Sequence, residues 1–196
     1  MARRSGAQPP PDFLHRDLPI EAVPAGTTFY RIHRTELSAL YFGTSGDNRF
    51  DDPEGNYEVC YAARSLEGAF AETCLRQVGA RLVALSHLAA RSMTELTILT
   101  ELRLVKLHGP GLAKLGATAG VSSGGYQVSQ AWSHAIHDHP ALVDGIVYRS
   151  NFDNSEFCVA LFARCRDCIR AGSTAQLLAD RLRLATLLDR YQVGIG

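Results

Sequence analysis

The segment Phe157-Cys158-Val159-Ala160-Leu161-Phe162 is apolar almost throughout, where a half-buried strand would alternate apolar and polar residues. A run of this kind predicts a central strand covered on both faces, and so a sheet with further structure packed on either side. Gly145 to Tyr148, just upstream, reads as a companion strand. Residues 27–34 form a third after the turn at Pro24 and Gly26. There alternation sets Phe29, Arg31 and His33 on one face and Tyr30 and Ile32 on the other. Residues 58–63 are a fourth, and a β-rich stretch runs from 95 to 107.

Helices are interspersed without a regular β-α-β rhythm. Ser65 is placed to cap a helix running to about Val78, with Leu66, Phe70, Cys74 and Val78 at fourfold spacing. A shorter helix is expected near 86–91 and another over 127–138. The last is predicted to start at a Ser173 cap and run through Tyr191, with a stripe of Leu177, Leu178, Leu182, Ala185, Leu188 and Tyr191. Gly43 to Gly55 and Ser122-Ser123-Gly124-Gly125 read as loops, the second a flexible one, and Gly109-Pro110-Gly111 as a break. The class is α+β. With 196 residues the chain fits one domain. Residues 1–26, with Pro9-Pro10-Pro11 among scattered basic residues, are expected to be a partly ordered N-terminal arm, and 27–196 the globular domain.

Charge and cysteine content narrow the function. Twenty basic residues balance twenty acidic ones, which argues against direct binding of nucleic acid through counterion release. Ser5 to Asp12 is polar and proline-rich, so no secretory leader is expected there, and no segment approaches the ~20 apolar residues of a membrane helix. Five cysteines, an odd number, suggest reduced thiols and a cytoplasmic location.

Two motifs suggest metal and are set aside. His134, His137 and His139 form an H-x-x-H-x-H cluster, yet no acidic or cysteine partner follows at zinc-site spacing, and Asp138-His139-Pro140 reads as a helix end. Cys165-x-x-Cys168 is a single pair among charged neighbours, which reads as a solvated connection. Neither G-x-G-x-x-G after a strand nor a P-loop is present.

Four segments form a more specific pattern. They are Tyr30-Arg31-Ile32-His33, Arg49-Phe50-Asp51, Tyr61 through Thr73 (YAARSLEGAFAET), and Asp144-Gly145-Ile146-Val147-Tyr148-Arg149-Ser150. In this order and spacing, over roughly residues 27–163, the chain resembles the RES-domain family, named for an arginine, a glutamate and a serine. The resemblance implies an ADP-ribosyltransferase-like fold, with a mixed sheet core flanked by helices. It also implies a toxin of a bacterial toxin–antitoxin pair. Known family activities are hydrolysis or phosphorolysis of NAD and ADP-ribosylation of a protein. NAD would be the substrate, with no metal. The partner would be a cognate antitoxin, typically Xre-like, with self-association and a protein acceptor of ADP-ribose as further partners. Carried over, Arg31, Glu72 and Ser150 are the signature catalytic residues, and Arg49 and Tyr61 match two further pocket positions. Tyr148, on Ser150's strand face, joins them as an expected NAD-binding residue. The chain departs from the family's G-G-R-W-N type of stretch, reading Gly46-Asp47-Asn48-Arg49-Phe50-Asp51.

The residue types suit that chemistry on their own terms. The nicotinamide–ribose bond joins C1′ to a cationic ring that departs neutral with the bonding pair, so no general acid is needed, and one carboxylate suffices to stabilise an oxocarbenium-like sugar. Glu72 is that carboxylate, and Gly68, Ala69 and Ala71 around it are small enough to admit substrate. A pyrophosphate calls for arginine forks, here Arg31 and Arg49. Tyr61 offers a flat face to nicotinamide and Ser150 a hydroxyl. Each also has an ordinary reading: Arg31 covering a sheet edge, Glu72 pairing with Arg76, Tyr61 in the core, Ser150 in a turn. A non-catalytic partner retaining the fold and a metal-dependent hydrolase built on the histidines are the competing classes.

Overall fold

In a computed structural model, residues 8–76, 79 and 81–196 are described. The elements in chain order are β1 (Ile20–Val23), β2 (Thr28–Arg34), β3 (Val59–Ala63), α1 (Leu66–Cys74), β4 (Leu82–Val83), α2 (Leu85–Ala89), β5 (Arg91–Ile98) and β6 (Leu102–Leu107). After these come α3 (Pro110–Leu115), α4 (Gly120–Ser123), α5 (Tyr126–His137), β7 (Gly145–Arg149), β8 (Phe157–Phe162), β9 (Ile169–Gln176), α6 (Arg181–Arg190) and β10 (Gly194–Ile195). The expected α+β mixture is present as one domain around a large mixed sheet.

The strands of that sheet run in the order β1-β6-β7-β8-β3-β2-β5-β9. The apolar run at 157–162 is the interior strand β8, between β7 and β3, and Val159 through Phe162 are fully buried. Cys158, Ala160 and Phe162 face one core and Val159 and Leu161 the other. The first core is completed by Phe70 of α1, Trp132 and Ile136 of α5, and Leu184 and Leu187 of α6. The second is covered by Ala39 and Phe42 and by Cys165, within the 3-10 turn Ala163–Cys168. Among the described residues only β6 and β7 pair in parallel within the large sheet, so a crossover must join them, and it carries α3, α4 and α5. Gly145 opens β7 where a Cβ would lie 2.3 Å from the Ala160 carbonyl oxygen of β8, which requires glycine at this close approach. Upstream, β1 pairs with β6, and Phe13 packs edge-on against Trp132 at 5.3 Å.

Three expectations are corrected. The chain after Ile169 is an edge strand, β9, paired with β5, and Ser173 lies within it. The last helix starts only at Arg181, capped by Asp180, whose side chain accepts from the Arg183 amide. The inward residues are Leu184 and Leu187, while Leu182 of the predicted stripe is 81% exposed. Pairing with β5 takes residues 174–176 into the sheet, so the expected cap at Ser173 is a strand residue. Helix α1 ends at Cys74, because Leu75 leaves helical geometry and the Arg76 side chain donates to the Glu72 carbonyl; Val78 lies outside the described residues. Finally, the Ser122–Gly125 stretch is not wholly a loop. Ser122 and Ser123 lie in α4, with both hydroxyls bonded back to the Ala119 carbonyl.

The sheet is split where the site lies. Strand β2 pairs with β5 over seven positions but with β3 only at Tyr30–Ala63. Beyond that point β3 turns to another neighbour: Gly43 and Val59 exchange both backbone hydrogen bonds at 3.0 Å. The strands therefore diverge, and the 43–55 loop begins in the gap.

Candidate functional site

A cavity of about 660 Å³ occupies this gap. Arg31, Arg49, Tyr61, Glu72 and Tyr148 all line it. Ser150, the sixth residue expected at the site, is only 3% exposed and stands directly behind Glu72.

Glu72 sits in the last turn of α1. The helix is set by its cap: the Ser65 hydroxyl oxygen accepts from the Gly68 amide and donates to the Glu156 carboxylate. Glu72 Oε1 accepts from the Ser150 hydroxyl at 2.7 Å and from the Asn151 amide at 3.0 Å. The Ser150 oxygen in turn accepts from the Phe152 and Asp153 amides, so the chain leaving β7 wraps around the hydroxyl that orients the carboxylate. The surface ion pair with Arg76, the ordinary alternative for Glu72, does not form. Arg76 donates to the main-chain oxygen of Glu72 at 3.0 Å and to Asn48 at 3.4 Å.

Tyr61 and Arg49 are held by the 43–55 loop. The Tyr61 hydroxyl donates to Asp51 Oδ1 and accepts from the Phe50 amide, both at 2.9 Å. Asp51 is 1% exposed and also accepts from Ser45 and from the Asn48 amide and side chain. Burial, with Asp51 alongside, pushes the Tyr61 phenol well up, so it remains a protonated donor. Arg49 donates through Nη1 to the Gly124 carbonyl at 2.7 Å and sits 4.9 Å over the Tyr126 ring. Tyr148 packs against Phe50 at 4.7 Å, and burial with the nearby Glu72 charge holds its phenol protonated.

Arg31 reaches the cavity from the other side of the sheet. Strand alternation puts it with Phe29 and His33, opposite to α1, and it donates to the Cys60 thiol of β3 across the split. His33 beside it is held neutral by burial and bonds Thr94 at 3.0 Å. Of the small residues expected to admit substrate, only Ala69 lines the cavity. Ala71 is fully buried, and a Cβ on Gly68 would meet Ala63 and Glu156 at 3.2 Å, so that glycine serves helix–strand packing.

Asp51 as the anchor of the loop, Tyr126 as the platform under Arg49, and the Asn151 amide are site groups beyond those expected from sequence. Asp51 had a visible signal, its place beside Arg49 and Phe50; a backbone amide has none. Of the three histidines, His139 uses both ring nitrogens, on the Ala141 amide and the Arg16 carbonyl. His137 stacks on Tyr57 at 4.1 Å and bonds Asp138, and His134 lies 3.4 Å from Asp138. Cys165 is buried and donates to the Phe162 carbonyl. Among the described residues, no group of three histidine, cysteine, aspartate or glutamate side chains is arranged to hold a metal ion.

These features describe a mixed α+β protein with a split sheet and an arginine-rich cleft around one oriented carboxylate. The chain belongs to the RES domain family, whose model matches residues 28–185. A curated relative, "Probable toxin y4kH" of Sinorhizobium fredii, is 27% identical over 114 residues, which is 58% of this chain and 89% of the relative. A chain of the M. tuberculosis MbcT–MbcA toxin–antitoxin complex has the same fold, with a TM-score of 0.64 and 17% identity over 87% of this chain and 91% of that one. No helix among the described residues is long and apolar enough to cross a membrane.

Proposed function

We propose that this chain is a toxin-type enzyme that cleaves the nicotinamide–ribose bond of NAD and so depletes the dinucleotide. The observation that carries this reading is the Glu72 carboxylate, fixed by Ser150 and Asn151 beside a cavity lined by Arg31, Arg49, Tyr61 and Tyr148. Membership of the RES family and the toxin named among its relatives support it.

The chemistry follows from the groups present. The electron pair of the C1′–N bond passes to the pyridinium nitrogen, nicotinamide leaves neutral, and positive charge develops on the ribose. Glu72, held in one orientation before reaction, stabilises that charge without reorganising. The acceptor oxygen, of water or phosphate, then bonds to C1′, and where water is the acceptor its proton passes to solvent. Tyr61 offers an aromatic contact to the base with the buried Tyr148 beside it in the cavity wall, and Arg31 and Arg49 hold the pyrophosphate. A guanidinium has five N–H donors, and among the described residues both arginines bond through Nη1, which leaves donors for phosphate oxygens. Ser150 acts on substrate through Glu72. The partner is an antitoxin of Xre type that covers the cavity mouth, in the cytoplasm.

Mass-spectrometric analysis after incubation with NAD alone tests this reading, with and without phosphate. Nicotinamide with ADP-ribose or its 1-phosphate is expected. Turnover that requires an added protein would make the chain an ADP-ribosyltransferase instead. No turnover under any of these conditions would make it a non-catalytic member of the family.

A further inference from the structure

The cavity is more basic than a dinucleotide requires. Among the described residues five arginines line it against two carboxylates, Asp47 and Glu72, while a pyrophosphate carries about two charges. Two of the extra arginines are arranged at a cost. Arg34 and Arg91 are direct cross-strand partners in the β2–β5 register, on the face that carries α1. Like charges placed opposite one another on a sheet are destabilising. Arg76, four residues beyond Glu72, and His87 of α2 line the same end. The repulsion is relieved little from within: Glu36 reaches Arg34 only at 4.0 Å, with both side chains more than 60% exposed. His87 adds a second, independent sign. Its Nε2 is buried and has no hydrogen-bond partner among the described residues. Burial, with the Arg91 and Arg76 charges adding to it and a Thr73 main-chain contact opposing it, holds the imidazole below the ordinary histidine value.

We propose that Arg34, Arg76 and Arg91, with His87, form a subsite for a phosphate dianion, additional to the pyrophosphate contacts. A dianion would neutralise the cross-strand pair, and its oxygens accept from guanidinium forks in the geometry arginine favours. The neutral imidazole, with its proton on Nε2, would donate to a phosphate oxygen directly or through a bridging water. Two molecules offer this group: a dinucleotide bearing a phosphate on its adenosine ribose, as in NADP, and free inorganic phosphate. The subsite rests on the reading of the cavity as a dinucleotide site, but phosphate binding can be measured without NAD and without turnover.

The experiment is calorimetric titration of the full chain with inorganic phosphate, NAD and NADP in turn, repeated for Arg91→Gln and Arg34→Gln, with melting temperatures in phosphate-free buffer. Phosphate is expected to bind the parent and to lose roughly tenfold or more in each variant, as removal of a charge-assisted contact predicts. Without phosphate each variant should melt no lower than the parent, since the repulsion has been relieved. A purely structural role would lower the melting temperature and leave phosphate affinity alone, and that result overturns the proposal. NADP binding at least tenfold tighter than NAD, with the preference lost in Arg91→Gln, assigns the phosphate to the dinucleotide. Equal binding of NAD and NADP alongside variant-sensitive phosphate binding assigns it to free phosphate. Equal loss of NAD and NADP affinity with no effect on phosphate would mean that the cluster holds the pyrophosphate, and no additional subsite exists.

Discussion

Ser150 and Glu72, 78 positions apart in sequence, meet at 2.7 Å, and the serine oxygen is itself gripped by two backbone amides of the loop that follows β7. The carboxylate is thus oriented by a strand end rather than by its own helix. Ser150→Ala removes a hydrogen bond to a charged group and loosens the loop that supplies the Asn151 amide. NAD turnover is expected to fall about tenfold to a hundredfold, with nicotinamide release as the readout. Parental turnover in a folded Ser150→Ala protein would show that Glu72 needs no such support.

Tyr61 and Asp51 make a second long-range pair. Tyr61→Phe keeps the ring against the cavity but leaves the buried Asp51 short of one donor and the Phe50 amide without an acceptor. A loss of stability of about 1–3 kcal/mol is expected, measured by urea unfolding. NAD affinity should weaken as well, because the same loop carries Arg49. Unchanged stability would mean that the Asp51 bonds to Ser45 and Asn48 alone secure the loop.

Acidification should destabilise the fold before its carboxylates titrate. His33, His87, His108 and His137 are all held below the ordinary histidine value, chiefly by burial, with Arg31, Arg91, Arg149 and Arg164 respectively adding to the effect. Their pKa values are lower folded than unfolded, so the stability they contribute is present above about 6.5 and is lost as pH falls through the lowered values. Urea midpoints followed from pH 8 to pH 5 should decline in the lower half of that range. A midpoint that rises on acidification would contradict this sign.

These relationships mark where sequence reading reached and where it stopped. The buried strand at 157–162, the Ser65 cap and the faces of β2 were legible, because each follows from local residue type and spacing. The site residues were legible as a spaced pattern, and five of the six line one cavity. What escaped was everything set by pairing between distant segments. The strand β9 takes in Ser173, which read as a helix cap, since an exposed edge strand of sequence IRAGSTAQ carries a weak apolar signal. The Arg34–Arg91 pairing depends on the register of β2 with β5, and the role of Gly68 on a contact with Glu156 that sequence alone does not place. The split between β2 and β3 arises from the Gly43–Val59 bridge, for which no residue type gives notice.

The central claim is that the charge of Glu72 acts on the transition state of NAD cleavage. Glu72→Gln keeps the size of the side chain and an oxygen to accept from Ser150, and removes the charge. Initial rates of nicotinamide release should be measured beside calorimetric NAD titration, with folding checked by circular dichroism. The account predicts that turnover falls by on the order of 10² or more while NAD affinity changes little. A folded Glu72→Gln protein that turns over NAD at the parental rate would contradict it.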